Sequence, residues 1–121
     1  MSKQRASAPV CCTPLARAPL PAERAAAFAP AFKALGDPVR LQLLSLIASH
    51  AGEEACVCDL TPAFELTGPT ISHHLKVLRE AGLVDAQRRG TWVYYRAVPG
   101  VLGLLSQLLT DSAAPDTLLA A

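Results

Sequence analysis

Four cysteines fall into two pairs, the adjacent Cys11-Cys12 and the near-adjacent Cys56-Val57-Cys58. Adjacent cysteines do not readily bridge to each other. A spacing of i, i+2 puts two thiols on the same side of a strand but far apart around a helix. Cys56 and Cys58 can therefore grip one ion together only where their segment is extended or at the start of a helix. In a chain read as cytosolic, such pairs point to metal or redox chemistry rather than to a disulfide framework. The plainer reading of Cys56 and Cys58 is as small buried hydrophobes. No Cys-x-x-Cys pair occurs and no histidine sits in a recognisable relay, so a catalytic thiol is not expected and the chain does not read as an enzyme.

A second set of chemistry-bearing residues lies between Thr67 and Gly82, a stretch that reads as one helix with both ends marked. Thr67 can cap it, Pro69 falls in the first turn, and Gly82 is a left-handed stop. Ile71, Leu75 and Leu78 form the buried stripe. Thr70, Ser72, His73, Lys76 and Arg79 lie opposite, with no carboxylate among them. Small donors plus two cations suit the major groove of DNA, where side chains meet base edges and phosphates. An ordinary solvated helix face is the alternative. Adjacent His73 and His74 point about 100° apart on a helix, which suits DNA contact or packing better than chelation.

The chain is 121 residues long with a formal net charge of +1. Any nucleic-acid footprint is therefore local. Residues 70–96 hold Lys76, Arg79, Arg88, Arg89 and Arg96 against Glu80 and Asp85, five cations to two carboxylates, a balance of +3. No apolar run approaches the roughly 18–20 residues of a membrane span, and the N-terminus lacks the pattern of a signal peptide.

Around these residues the sequence predicts mostly helix. Residues 1–20 carry three prolines and no carboxylate, and read as a flexible or extended arm bearing Cys11-Cys12. Pro21 opens a helix that Pro30 should kink or restart and Gly36 should end. Asp37-Pro38 caps a second, central core helix in which Val39, Leu41, Leu43, Leu44, Leu46 and Ile47 leave little polar surface. Residues 55–58 read as a short extended piece and 59–64 as a short helix. Together with the capped helix, the latter makes a helix-turn-helix.

Beyond Gly82, two β-prone runs flank Arg88-Arg89-Gly90-Thr91, a hairpin with a basic tip. Trp92 is expected to pack within it. Val101 to Leu109 form a last helix with a broad leucine face that a small domain cannot hide, and hence a partner surface. Residues 111–121 read as a frayed tail.

Phe32-Lys-Ala-Leu-Gly-Asp-Pro-Val-Arg-Leu41, Cys56-Val-Cys-Asp-Leu60, Pro69-Thr-Ile-Ser-His-His-Leu-Lys76 and Leu78-Arg-Glu-Ala-Gly-Leu-Val84 resemble the ArsR/SmtB family of metal-sensing repressors, over roughly residues 22–110. The resemblance implies a winged helix-turn-helix homodimer, built through its first and last helices, that sits on double-stranded operator DNA until a metal or metalloid ejects it. One sensing site of the family uses Asp and His on the last helix, and residues 99–110 contain no His and no Glu. Another uses the Cys-Val-Cys-Asp-Leu segment, intact here as Cys56 and Cys58. A third draws thiols from the N-terminal arm, which Cys11-Cys12 fits.

Trivalent arsenic or antimony takes three thiolates, whereas Cd²⁺ or Pb²⁺ favours four. The expected inducer is arsenic(III) or antimony(III), held by Cys11, Cys12 and one of Cys56 and Cys58. Cys56 is preferred because Cys58 is expected to turn inward. The alternatives are a four-cysteine Cd²⁺ or Pb²⁺ site and a metal-free redox switch. Cys12 stands about ten residues before the first helix, and at roughly 3.3 Å per extended residue such a tether could cross to the other subunit. Ser72, His73 and Lys76, with Thr70 in support, are assigned to the major groove, and Arg79 is assigned to DNA binding on the same helix. Arg88 and Arg89 are assigned to phosphates or the minor groove.

Overall fold

The structure is a computed structural model that describes residues 13–111. In chain order it runs α1 (Ala22–Leu35), α2 (Pro38–Ser49), β1 (Glu54–Cys56), α3 (Val57–Leu60), α4 (Gly68–Glu80), β2 (Val84–Arg89), β3 (Trp92–Ala97) and α5 (Val101–Leu108). Short 3₁₀ turns at Ala51–Glu53 and Thr61–Ala63 join α2 to β1 and follow α3.

α2 and α4 start where the sequence offers a substitute hydrogen-bond partner. The Asp37 carboxylate accepts from the Val39 and Arg40 amides at 2.8 and 3.2 Å, with Pro38 in the first turn of α2. Thr67 Oγ1 accepts from the Thr70 amide at 3.3 Å and opens α4. α4 closes with Gly82 at φ +81°, its amide donating to the Arg79 carbonyl and that of Leu83 to the Leu78 carbonyl, both at 3.0 Å. This paired closure needs a left-handed residue, which glycine supplies without a Cβ penalty. α1 passes Pro30 as one continuous helix rather than restarting there.

The sheet is antiparallel with order β1-β3-β2. Its β2–β3 hairpin turns on Gly90-Thr91, since Arg89 pairs with Trp92. Gly90 takes φ +66°, the positive value a two-residue hairpin turn requires. The third strand was legible only as a short extended piece: Glu54, Ala55 and Cys56 pair with Arg96, Tyr95 and Tyr94.

One core joins the layers. Leu43, Leu44 and Ile47 of α2 meet Ile71, Leu75 and Leu78 of α4, with Leu60, Leu83, Val84 and Leu105 around them. Leu41 is expected inside but is 55% exposed, on the side of α2 that also exposes Ser45 and Ser49. On α5, Leu105 and Leu108 are buried while Leu102, Leu104 and Leu109 are exposed. The leucine stripe thus splits between the fold's own core and an open strip. No helix among the described residues is long and apolar enough to cross a membrane.

Residues 13–20 do not swing freely. The Leu15 amide donates to the Leu108 carbonyl at 2.9 Å, and both terminal nitrogens of Arg24 reach the Thr13 carbonyl at 3.4 Å. The chain from Thr13 onward is thus folded back on α1 and the end of α5, and the ten-residue tether expected after Cys12 is shorter than that. Cys11, Cys12 and the tail beyond Asp111 lie outside the described residues.

Candidate nucleic-acid interface and thiol site

α4 carries its two faces as the heptad-like spacing requires. Ile71, Leu75 and Leu78 are fully buried, and Thr70, Ser72, His73, Lys76 and Arg79 are all exposed. His74 turns inward to a partner the sequence did not reveal. Arg40 Nη1 lies 3.2 Å from His74 Nδ1, and Arg40 Nε donates to the Ala34 carbonyl at 2.6 Å. A guanidinium can only donate, so Nδ1 is the acceptor and the imidazole proton sits on Nε2. This separation of the two histidines leaves His73 alone on the open face.

The hairpin separates its aromatic residues in the opposite sense to that expected. Tyr95 and Ala97 pack on the core, and the period-2 alternation of a strand then sends Trp92, Tyr94 and Arg96 to the other face. Trp92, at the tip where no layer covers it, is 54% exposed. Arg88 and Arg89 also part. Arg88 is exposed, with no hydrogen-bond or ion-pair partner among the described residues. Arg89 forms a two-pronged ion pair with Glu54 of β1, one prong Nη2–Oε2 at 2.9 Å. It also donates to Gln87 Oε1 at 2.9 Å and lies over the Tyr94 ring, 4.7 Å from its centroid. The hydrogen bond from Arg89 holds the Glu54 carboxyl below its usual range, and the same bond raises Arg89.

Cys56 and Cys58 straddle the junction of β1 and α3. The Cys58 amide donates to Cys56 Sγ at 3.2 Å, and the Cys56 amide donates to the Asp59 carboxylate at 3.0 Å. The two cysteines are joined as a disulfide with Cα atoms 5.1 Å apart. Both sulfurs therefore face one side at a helix start, one of the two geometries that allow an i, i+2 pair to share an ion. Their exposures reverse the expectation: Cys56 is 2% exposed, while Cys58 is open to solvent. α3 begins at Val57, two residues earlier than the sequence suggested, and this carries Cys58 outward. His50 is exposed as expected, 3.8 Å from Asp59. No cluster of three or more His, Cys, Asp or Glu among the described residues is arranged to hold a metal.

A capped helix with an open polar face, preceded by a short helix and followed by a hairpin wing, defines a winged helix-turn-helix DNA-binding regulator. The sequence profile of the arsR family of bacterial regulatory proteins matches residues 37–86. The arsenical resistance operon repressor of Bacillus subtilis is 43% identical over 79 residues, spanning 64% of this chain and 73% of that protein. The arsenic resistance transcriptional regulator ArsR1 of Pseudomonas putida is 51% identical over 70 residues, spanning 58% of this chain. The chain spans about half the length of that relative, 53%.

Among solved structures, the homodimeric winged helix-turn-helix DNA-binding domain of a possible ArsR-family transcriptional regulator from Mycobacterium bovis aligns with a TM-score of 0.59 and 34% identity, covering 73% of this chain and 82% of that one. An ArsR-like transcriptional regulator from Rhodococcus aligns with a TM-score of 0.63 and 25% identity, covering 72% and 79%. The chain belongs to the ArsR family. That family is one of transcriptional regulators, not of enzymes.

Proposed function

We propose that this protein is a metalloid-responsive transcriptional repressor that binds operator DNA as a homodimer and leaves it when arsenite or antimonite binds cysteine thiolates. The observation that carries this reading is the placement of Cys56 and Cys58, side by side at a helix start, in the segment that feeds directly into the DNA-binding helices. The arsenical resistance functions named for the Bacillus subtilis and Pseudomonas putida relatives support it.

The donor set fits a soft ion. Reduction of the Cys56–Cys58 bond frees two thiols on one side, and thiolate ligands favour such ions. One of these thiols completes a three-coordinate site whose other two ligands are Cys11 and Cys12. They hang one and two residues from Thr13, which Arg24 of α1 holds. In a dimer built through α1 and α5, that anchor lies beside the partner subunit, so one site can draw on both chains. The exposed Leu102, Leu104 and Leu109 are the surface such a dimer would cover.

On DNA, Thr70, Ser72, His73 and Lys76 meet base edges in the major groove, Arg79 meets the backbone, and Arg88 meets phosphate at the wing. The test is release of a labelled operator duplex by arsenite, antimonite, Cd²⁺ and Pb²⁺, in wild type and in each Cys→Ser variant. A second reading, a metal-free thiol switch, is favoured by one observation, the Cys56–Cys58 disulfide itself. Peroxide-dependent release without metal would support that reading instead. A tetrathiolate Cd²⁺ or Pb²⁺ sensor would need all four cysteines.

A further inference from the structure

Arg88 and Arg89 are neighbours in β2 and so point to opposite faces of the sheet. Only Arg89 is restrained. Glu54 takes it with both carboxylate oxygens, Gln87 accepts a further bond at 2.9 Å, and the Tyr94 ring lies beneath it. The register shows what this spans. Tyr94 of β3 pairs with Gln87 of β2 on one side and with Cys56 of β1 on the other. The ion pair therefore crosses the whole sheet, and its acidic end stands two residues from Cys56.

We propose that Glu54 is a positioning residue for DNA binding, holding Arg89 back from phosphate and so tying the grip of the wing to the strand that carries Cys56. An arginine fork takes a carboxylate or a phosphate with the same pair of N–H donors. Glu54 and DNA compete for the same atoms. The pair is accessible, with side-chain exposures of 47% for Arg89 and 24% for Glu54, and exposed ion pairs hold weakly and are screened by salt. A phosphate can therefore displace Glu54, but the freed carboxylate then faces the polyanion and opposes binding.

Both groups stay ionised near neutral pH, since each holds the other in its charged form. The exchange is governed by the placement of β1 rather than by protonation. β1 is three residues long and pairs with β3 alone, so an ion on Cys56 or Cys58 would fix it against Tyr94 and favour the Glu54–Arg89 partnership over phosphate. This last step rests on the metalloid reading above. The competition between Glu54 and DNA does not.

The experiment measures binding of reduced, full-length protein to operator and random duplexes across a salt series, for wild type, Glu54→Gln, Arg89→Gln and the double variant. Glu54→Gln should tighten binding to both duplexes roughly three- to tenfold and steepen the plot of log affinity against log salt by about one unit, the signature of one added phosphate contact. In the Arg89→Gln background the gain should vanish, and Glu54→Gln should need more arsenite for release. Arg89→Lys keeps the charge but not the fork; it should mimic Glu54→Gln in part, and provides a check if that variant folds poorly. Equal gains with and without Arg89 would mean that charge removal alone is at work, and an unchanged salt slope would mean that Arg89 is never released. Either result overturns the proposal. Wild-type protein that ignores arsenite while the Glu54–Arg89 cycle holds would overturn the sensor reading alone.

Discussion

Arg40 reaches His74 across 3.2 Å while its Nε holds the Ala34 carbonyl at 2.6 Å, so one side chain ties the end of α1, the start of α2 and the recognition helix α4 together. The tie fixes the roll of α4 about its axis and hence which residues stand on its open face. Arg40→Ala should lower stability by about 1–2 kcal/mol, the cost of losing a charged hydrogen bond in a partly buried setting. It should weaken operator binding more than random binding. Urea denaturation and paired binding curves check both, and an unchanged denaturation midpoint would mean the link carries no load.

Asp37 gives the fold a dependence on acid. The Arg40 amide, together with the Val39 amide and the nearby charge of Arg40, outweighs desolvation and lowers its carboxyl below the ordinary 3.8. A group with a lower pKa in the folded state contributes stability above its unfolded pKa and loses it as pH falls through the folded one. Asp37→Asn should therefore be less stable than wild type at neutral pH, and the gap should close as pH drops below about 3.8. A gap that persisted at pH 2 would remove the carboxylate from this role.

The two DNA-facing elements should fail differently. Arg88→Ala should weaken binding to every duplex and reduce the salt slope by about one. Arg89→Ala should cost less, because Glu54 already occupies that side chain. Ser72→Ala or His73→Ala should spare random DNA and lose operator preference, by about 1–3 kcal/mol where a base contact is removed. A salt slope altered by Ser72→Ala and untouched by Arg88→Ala would reverse the assignments of helix and wing.

Assembly is best probed at Leu109, which is 55% exposed, and not at Leu105, which belongs to the core. Each buried leucine is worth about 1.5–3 kcal/mol, and a twofold interface counts the change twice. Leu109→Glu should raise the dimer dissociation constant at least a hundredfold, to be read by sedimentation at micromolar concentration, and should weaken operator binding with it. Dimers of undiminished strength would place the interface elsewhere.

The sequence made most legible whatever is decided by neighbours in the chain. Asp37-Pro38, Thr67 and Gly82 marked helix ends because a cap or a left-handed stop involves only a few adjacent residues. The stripe Ile71, Leu75, Leu78 marked a buried face because helical period alone fixes it. What escaped depends on pairing across distance. Nothing near Trp92 says that Tyr95 will take the core side of β3, and nothing near Arg89 says that Glu54, thirty-five positions earlier, will hold it. The outward turn of Cys58 depends on α3 starting at Val57, two residues sooner than the sequence suggested.

In the proposed function a trivalent metalloid, held by three thiolates, releases this protein from its operator. The most direct measurement is fluorescence anisotropy of a labelled operator duplex bound to reduced protein, titrated with arsenite and in parallel with Cd²⁺, for wild type and the four single Cys→Ser variants. Release should come at lower arsenite than Cd²⁺ concentration. It should require Cys11, Cys12 and one of Cys56 and Cys58, the other being dispensable. If all four cysteines prove necessary and Cd²⁺ acts at the lower concentration, the site is a tetrathiolate and the arsenic assignment is wrong.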